Sequence, residues 1–153
     1  MHDLMRRLPT LLVCVLASAL MLSGCDQPQK PKASFNNTDV TGLDYAKGFM
    51  LTDQNGKQRS LDDFRGKLVF VFFGYTHCPD VCPTTLAEMA GIMQALGPDA
   101  ERLQVLFITL DPERDTPELL ASFVPAFHPS FLGLTGDQAT IDKVAKDFKV
   151  FAQ

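Results

Sequence analysis

Two apolar runs of strand length constrain this chain more than any other feature: Lys67-Leu68-Val69-Phe70-Val71-Phe72-Phe73 and Leu103-Gln104-Val105-Leu106-Phe107-Ile108-Thr109-Leu110. Neither alternates polar with apolar residues, so neither suits a sheet with one wet face. Runs rich in aromatic and β-branched residues predict central strands buried on both faces. Between them Leu86, Met89, Ala90, Met93 and Leu96 recur at spacings of three and four until Gly97-Pro98. That predicts an amphipathic helix with Pro83 as its first residue. After the second run, Thr116-Pro117-Glu118 predicts a capped helix with Leu119, Leu120, Phe123, Val124 and Phe127 inward; Phe131–Leu134 predicts a short strand, and Asp137–Phe148 a third helix. The order β-α-β-α-β-α implies an α/β sandwich.

Upstream, Phe49-Met50-Leu51-Thr52 runs into Asp53-Gln54-Asn55-Gly56-Lys57, a strand entering a hairpin turn, because Asn-Gly supplies the positive φ that tight turns need. Ser60 to Phe64 predicts a helical turn that Ser60 caps with its side chain and Gly66 closes.

The N-terminus has a different character. Arg6 and Arg7 precede an apolar run from Leu11 to Leu22, too short to span a bilayer comfortably, and Leu22-Ser23-Gly24-Cys25 follows. This resembles a bacterial lipoprotein signal, residues 1–24, with Cys25 as the lipidated first residue. Asp26 resembles the residue that retains such lipoproteins at the inner membrane, which places the protein on its periplasmic face. Cys14 reads as an apolar filler within the signal. Residues 25–39, with Pro28, Lys30, Pro31, Lys32, Asn36 and Asn37, bury too little to order themselves and predict a tether. Residues 40–153 suffice for one core. Without residues 1–24 the chain holds 12 basic against 17 acidic residues, a net of −5, and no Lys/Arg cluster. Nucleic acid is therefore not an expected partner.

Cys78 and Cys82 stand where the first buried strand gives way to a helix, in Gly74-Tyr75-Thr76-His77-Cys78-Pro79-Asp80-Val81-Cys82-Pro83. Four residues at ~1.5 Å rise put their Cα atoms about 6 Å apart on one helix face, within reach of a disulfide or of one metal ion. A closed zinc site wants about four donors, and this domain offers two Cys plus His77 and His128. Cu(I) is content with two or three soft donors, and an oxidising compartment equally favours a disulfide. His77 is read as a tuning or surface residue rather than a ligand, since neighbouring side chains diverge. His128, at a helix end, is read as a cap or surface residue, and Met89 and Met93 as core. Asp111-Pro112-Glu113-Arg114-Asp115 reads as a turn with solvated Glu113 and Arg114.

Three segments in this order, Phe49–Gly56, Phe72–Pro83 and Asp111–Pro117, resemble the SCO/SenC family of copper-binding assembly proteins, over about Val40 to the last residue. The resemblance implies a thioredoxin-like fold with an added N-terminal hairpin. It also implies delivery of Cu(I) or Cu(II) to, or reduction of cysteines in, the binuclear copper centre of cytochrome c oxidase. The oxidase's copper-bearing subunit and other copper chaperones are the implied partners, and Cys78 and Cys82 match the two thiolate ligands. The family's third ligand is a histidine in a later Asp-His-Ser-type segment, and no residue here matches it. Final strands and a helix are likewise expected to be missing, leaving a strand edge and apolar surface uncovered. Weaker copper binding and lower stability than in a chain extended through that histidine are the corresponding expectations. Two functions stay open. One is a copper metallochaperone; the other is a thiol-disulfide oxidoreductase, although redox thioredoxins usually show Cys-x-x-Cys. A peroxidase fits less well, because a second thiol stands within disulfide reach.

Overall fold

The computed structural model describes residues 36–151. The predicted signal, Cys14, the lipid-anchor residue Cys25 and Asp26 lie outside the described residues, as does the tether up to residue 35. The chain divides after Thr41, and the unit Gly42–Gln153 carries the elements that follow. No helix among the described residues is long and apolar enough to cross a membrane.

Strands β1 (Met50–Asp53) and β2 (Gln58–Ser60) form the antiparallel hairpin, with Met50 opposite Ser60 and Thr52 opposite Gln58. Gly56, at φ +79°, takes the left-handed conformation the turn demands. Asp53 is fully buried inside it. Its Oδ1 accepts from the amides of Asn55 at 2.9 Å and Lys57 at 3.0 Å, and its Oδ2 from Arg59 Nε at 2.8 Å. Burial pushes this carboxyl up, but Arg59 and the two amides prevail and hold it below the usual carboxylate range. The turn after β2 is a 3-10 turn, Leu61–Phe64, and here Asp63 Oδ2 accepts the Ser60 amide at 2.6 Å and the Ser60 hydroxyl at 3.2 Å. The acid three residues on thus does much of the capping expected of Ser60 alone.

Next come β3 (Leu68–Gly74), α1 (Val81–Leu96), β4 (Leu103–Thr109), α2 (Pro117–Phe123), β5 (Leu132–Thr135) and α3 (Gln138–Asp147). The five strands lie in the order β2-β1-β5-β4-β3. β3, β4 and β5 run parallel, and β1 joins β5 antiparallel, Thr52 opposite Thr135. One expectation fails: the run 67–73 is not central. β3 pairs only with β4 among the described residues, its side chains are mostly half-buried, and Leu68 is 72% exposed. A strand's own sequence reports how apolar its faces are, not which strands flank it.

β4 is the buried centre, with all seven residues inside. Its pleat sends Leu103, Val105 and Phe107 to one face, against Leu86, Met89 and Met93 of α1 and Leu120 of α2. Leu106 and Ile108 go to the other face, against Leu51, Phe64, Leu134 and the α3 residues Ile141 and Val144. Burying each such side chain contributes about 1.5–3 kcal/mol, so β4 binds the two layers together. The expected cap forms at Thr116, whose Oγ1 accepts from Leu119 at 3.3 Å, while Asp137, expected as the first residue of the third helix, caps it instead, its Oδ1 accepting from Thr140 at 2.7 Å.

Candidate functional site

The parallel register brings the carboxyl ends of β3 and β4 together, with Gly74 opposite Thr109 and the Leu110 amide donating to the Gly74 carbonyl at 2.8 Å. Ligand sites of parallel sheets open at such ends. Both cysteines lie just beyond, buried and as free thiols. α1 begins at Val81, two residues ahead of the expected Pro83, so Cys82 sits inside its first turn. Proline is tolerated third in the helix because first-turn amides have no intrahelical partner.

Those partnerless amides explain the behaviour of Cys78. The N-cap Asp80 makes no side-chain capping bond. Instead the Cys82 amide donates to Cys78 Sγ at 3.4 Å. The amide of Asp80, then the amide and thiol of Cys82, hold the Cys78 thiol below its ordinary value, with a smaller contribution from the Val81 amide, and burial opposes them only in part. Cys82 behaves oppositely. Burial above all, then the neighbouring Cys78 and the charge of Asp115, push it up to about 11, against a donor from the Tyr75 backbone. The two thiols are therefore unequal, one lowered by the donors around it and the other raised by burial.

Gly74 makes room for the second sulfur. A Cβ there would come within 2.9 Å of Cys82 Sγ and 3.0 Å of the Phe107 ring, and Phe107 is fully buried. Any larger residue therefore displaces the sulfur or the core.

The segment 111–115 reads as a turn with solvated Glu113 and Arg114, and both are exposed, Arg114 paired with Asp111. Asp115, however, is fully buried. Its Oδ2 accepts from the Thr76 amide at 3.0 Å and the Thr109 hydroxyl at 2.6 Å, and its Oδ1 from the Thr76 hydroxyl at 2.5 Å. The sequence held one signal for this: Thr76 and Thr109 are hydroxyls just past or at the ends of apolar strands, and a carboxylate is their natural acceptor. A contact across 39 residues has no periodicity to reveal it.

Among the remaining candidates, His77 is exposed, with Nδ1 3.1 Å from Thr76 Oγ1 and 3.8 Å from Asp115 Oδ1. Its partners are the Asp115 cluster. His128 precedes β5, at the opposite edge of the parallel strands from the thiols, and bonds Ser130 Oγ at 2.8 Å. It is not a ligand of this site. Met89 and Met93 are buried in the core, as expected. Among the described residues no three His, Cys, Asp or Glu side chains gather to hold a metal ion. Two adjacent sulfurs remain, a donor set that fits a two-coordinate soft ion such as Cu(I) and not closed zinc coordination.

The SCO1/SenC family model matches residues 38–153. An SCO2-like protein of Rickettsia felis is 41% identical over 142 residues, 93% of this chain and 69% of its own length. The copper-bound ScoI of Bradyrhizobium japonicum is 47% identical with a TM-score of 0.66, over 69% of this chain and 68% of that one. The apo Sco1 of Thermus thermophilus is 41% identical with a TM-score of 0.69, over 81% and 72%.

Proposed function

This chain belongs to the SCO1/SenC family and has its thioredoxin-like fold, and we propose that it is a copper metallochaperone for assembly of the binuclear centre of cytochrome c oxidase. The observation that carries this reading is the pair Cys78 and Cys82, buried together at the start of α1. Cys78, already favoured as thiolate, is the first donor to Cu(I). Cys82 becomes the second on losing its proton, so uptake of the ion releases that proton. Two soft sulfurs satisfy Cu(I) without closing its coordination, which leaves room for a partner's donor to attach before a cysteine departs.

The same asymmetry favours a second reading as a thiol-disulfide reductase. The Cys78 thiolate attacks a target disulfide and expels one target thiolate. Cys82, deprotonated, then attacks the Cys78 sulfur, expels the second target thiolate and leaves a Cys78–Cys82 disulfide, with two electrons passed to the target. An external thiol reductant restores the pair.

Titration of the protein with Cu(I) and Cu(II), beside Cys78→Ser and Cys82→Ser, separates the two. Stoichiometric copper lost in both variants supports the chaperone. No copper uptake together with rapid reduction of a protein disulfide overturns it in favour of the reductase. Anchoring by a lipid on Cys25 at the periplasmic face of the inner membrane belongs to the same proposal. Release of Cys25→Ala from the membrane fraction is its expected outcome, and retention counts against it.

A further inference from the structure

Asp115 is a buried carboxylate whose hydrogen-bonding partners are all neutral. Thr109 Oγ1 already accepts the Asp111 amide at 3.0 Å, so its own proton points at Asp115. With the Thr76 amide and hydroxyl, three donors converge on the two oxygens, the arrangement of an ionised acid. No Lys or Arg side chain bonds to it among the described residues: Arg114 is exposed and engaged with Asp111, and the exposed His77 ring stands 3.8 Å away, beyond hydrogen-bond distance. Two consequences meet at the thiols. Thr76 lies midway between Gly74, which seats the Cys82 sulfur, and Cys78, so the clasp on Thr76 fixes the path between the two donors. The negative charge also stands close to the site: Thr109, whose hydroxyl donates to Asp115, pairs in the sheet with Gly74, against which the Cys82 sulfur lies.

We infer that Asp115 is a positioning residue of the dithiol site whose fixed negative charge also biases that site toward the more positive copper ion. This rests on the copper reading above. A dithiolate holding Cu(I) carries a net charge of −1, whereas the same dithiolate holding Cu(II) is neutral. A fixed negative charge in a low-dielectric surrounding therefore disfavours the first complex relative to the second. Asp115 narrows the preference of two soft sulfurs for Cu(I), and in doing so eases release of that ion.

The test measures Cu(I) and Cu(II) affinities, by competition with chromophoric chelators, for the wild type, Asp115→Asn, Asp115→Glu and Thr76→Val, with circular dichroism to establish folding. Asp115→Asn removes the charge and is expected to raise the ratio of Cu(I) to Cu(II) affinity about tenfold. Asp115→Glu keeps the charge and the wild-type ratio, even where both affinities fall. Thr76→Val keeps the charge but loosens the clasp, lowering both affinities several-fold with the ratio unchanged. A folded Asp115→Asn protein with the wild-type ratio overturns the inference, as does a ratio that moves equally in Asp115→Glu. A readout without copper keeps the two readings separate: alkylation of the metal-free thiols at fixed pH is expected to quicken several-fold in Asp115→Asn but not in Asp115→Glu. If the wild type takes up no copper, the chaperone reading fails, and equal alkylation rates then overturn this one as well.

Discussion

Among the described residues two aspartates are fully buried, and they are used differently. Asp53 in the β1–β2 turn accepts two amides and the Arg59 guanidinium, so its charge is cancelled where it sits. Asp115 at the ends of β3 and β4 accepts three neutral donors, so its charge is solvated but not cancelled. A cancelled charge stabilises its own turn and has little effect beyond it. An uncancelled one acts on whatever is nearby, and here the neighbours are two thiols.

The strongest way to break the comparison is to remove a sulfur. Cys82→Ser is expected to weaken Cu(I) binding more than about 100-fold, measured by chelator competition, while Arg59 and Asp53 stay paired and the hairpin's amide protection is unchanged. Next in size is Asp53→Ala, which strands the partly buried Arg59 and two amides. A loss of about 3 kcal/mol in urea unfolding is expected, with Cu(I) affinity for the folded protein within about twofold of wild type because the turn is remote from the thiols. A copper defect as large as the stability defect would mean the two regions are coupled.

Acidity separates the regions as well. Asp53 has its carboxyl lowered in the fold, so the stability it contributes is fully present above the unfolded value, about pH 4, and is lost as pH falls through the folded value. Asp53→Ala should therefore flatten the acid limb of a stability-versus-pH curve. At the thiols the dependence has the opposite origin. Cys82 stays protonated up to about pH 11, so while Cys78 is ionised each copper bound releases one proton. Cu(I) affinity then rises about tenfold per pH unit, and a flat profile over pH 7–9 would exclude Cys82 as a donor. Gly74→Ala sharpens the comparison locally: its Cβ displaces the Cys82 sulfur or the Phe107 ring, with a Cu(I) affinity several-fold weaker and a lowered Tm expected. The smallest effect belongs to Arg114→Ala. Its pairing with Asp111 is exposed, so Tm and Cu(I) affinity should match wild type, and a change in affinity would show that Arg114 screens Asp115.

Local features were legible because each is a short-range pattern. The hairpin follows from Asn55-Gly56, the cap of α2 from Thr116, and the core face of α1 from Leu86, Met89 and Met93. The start of α1 was read two residues late because Pro83 is a strong helix-start signal, and a sulfur acting in place of a cap leaves no such mark. The rank of β3 in the sheet was misread for another reason. Phe70 to Phe73 are as apolar as the centre of β4, and only pairing distinguishes an edge from a centre.

By itself the sequence determined that this chain is an α/β protein with two soft donors at the end of a parallel strand, since period, turn chemistry and spacing are all written within a few residues. Tertiary structure alone decided that the two sulfurs are unequal and that a buried carboxylate stands behind them. The amides that favour the Cys78 thiolate are aimed by where α1 begins. The Cys82 sulfur is buried against Gly74 of β3, and the clasp on Thr76 comes from a loop 39 residues away. Electrostatics depends on distance through space, and only the folded chain sets those distances.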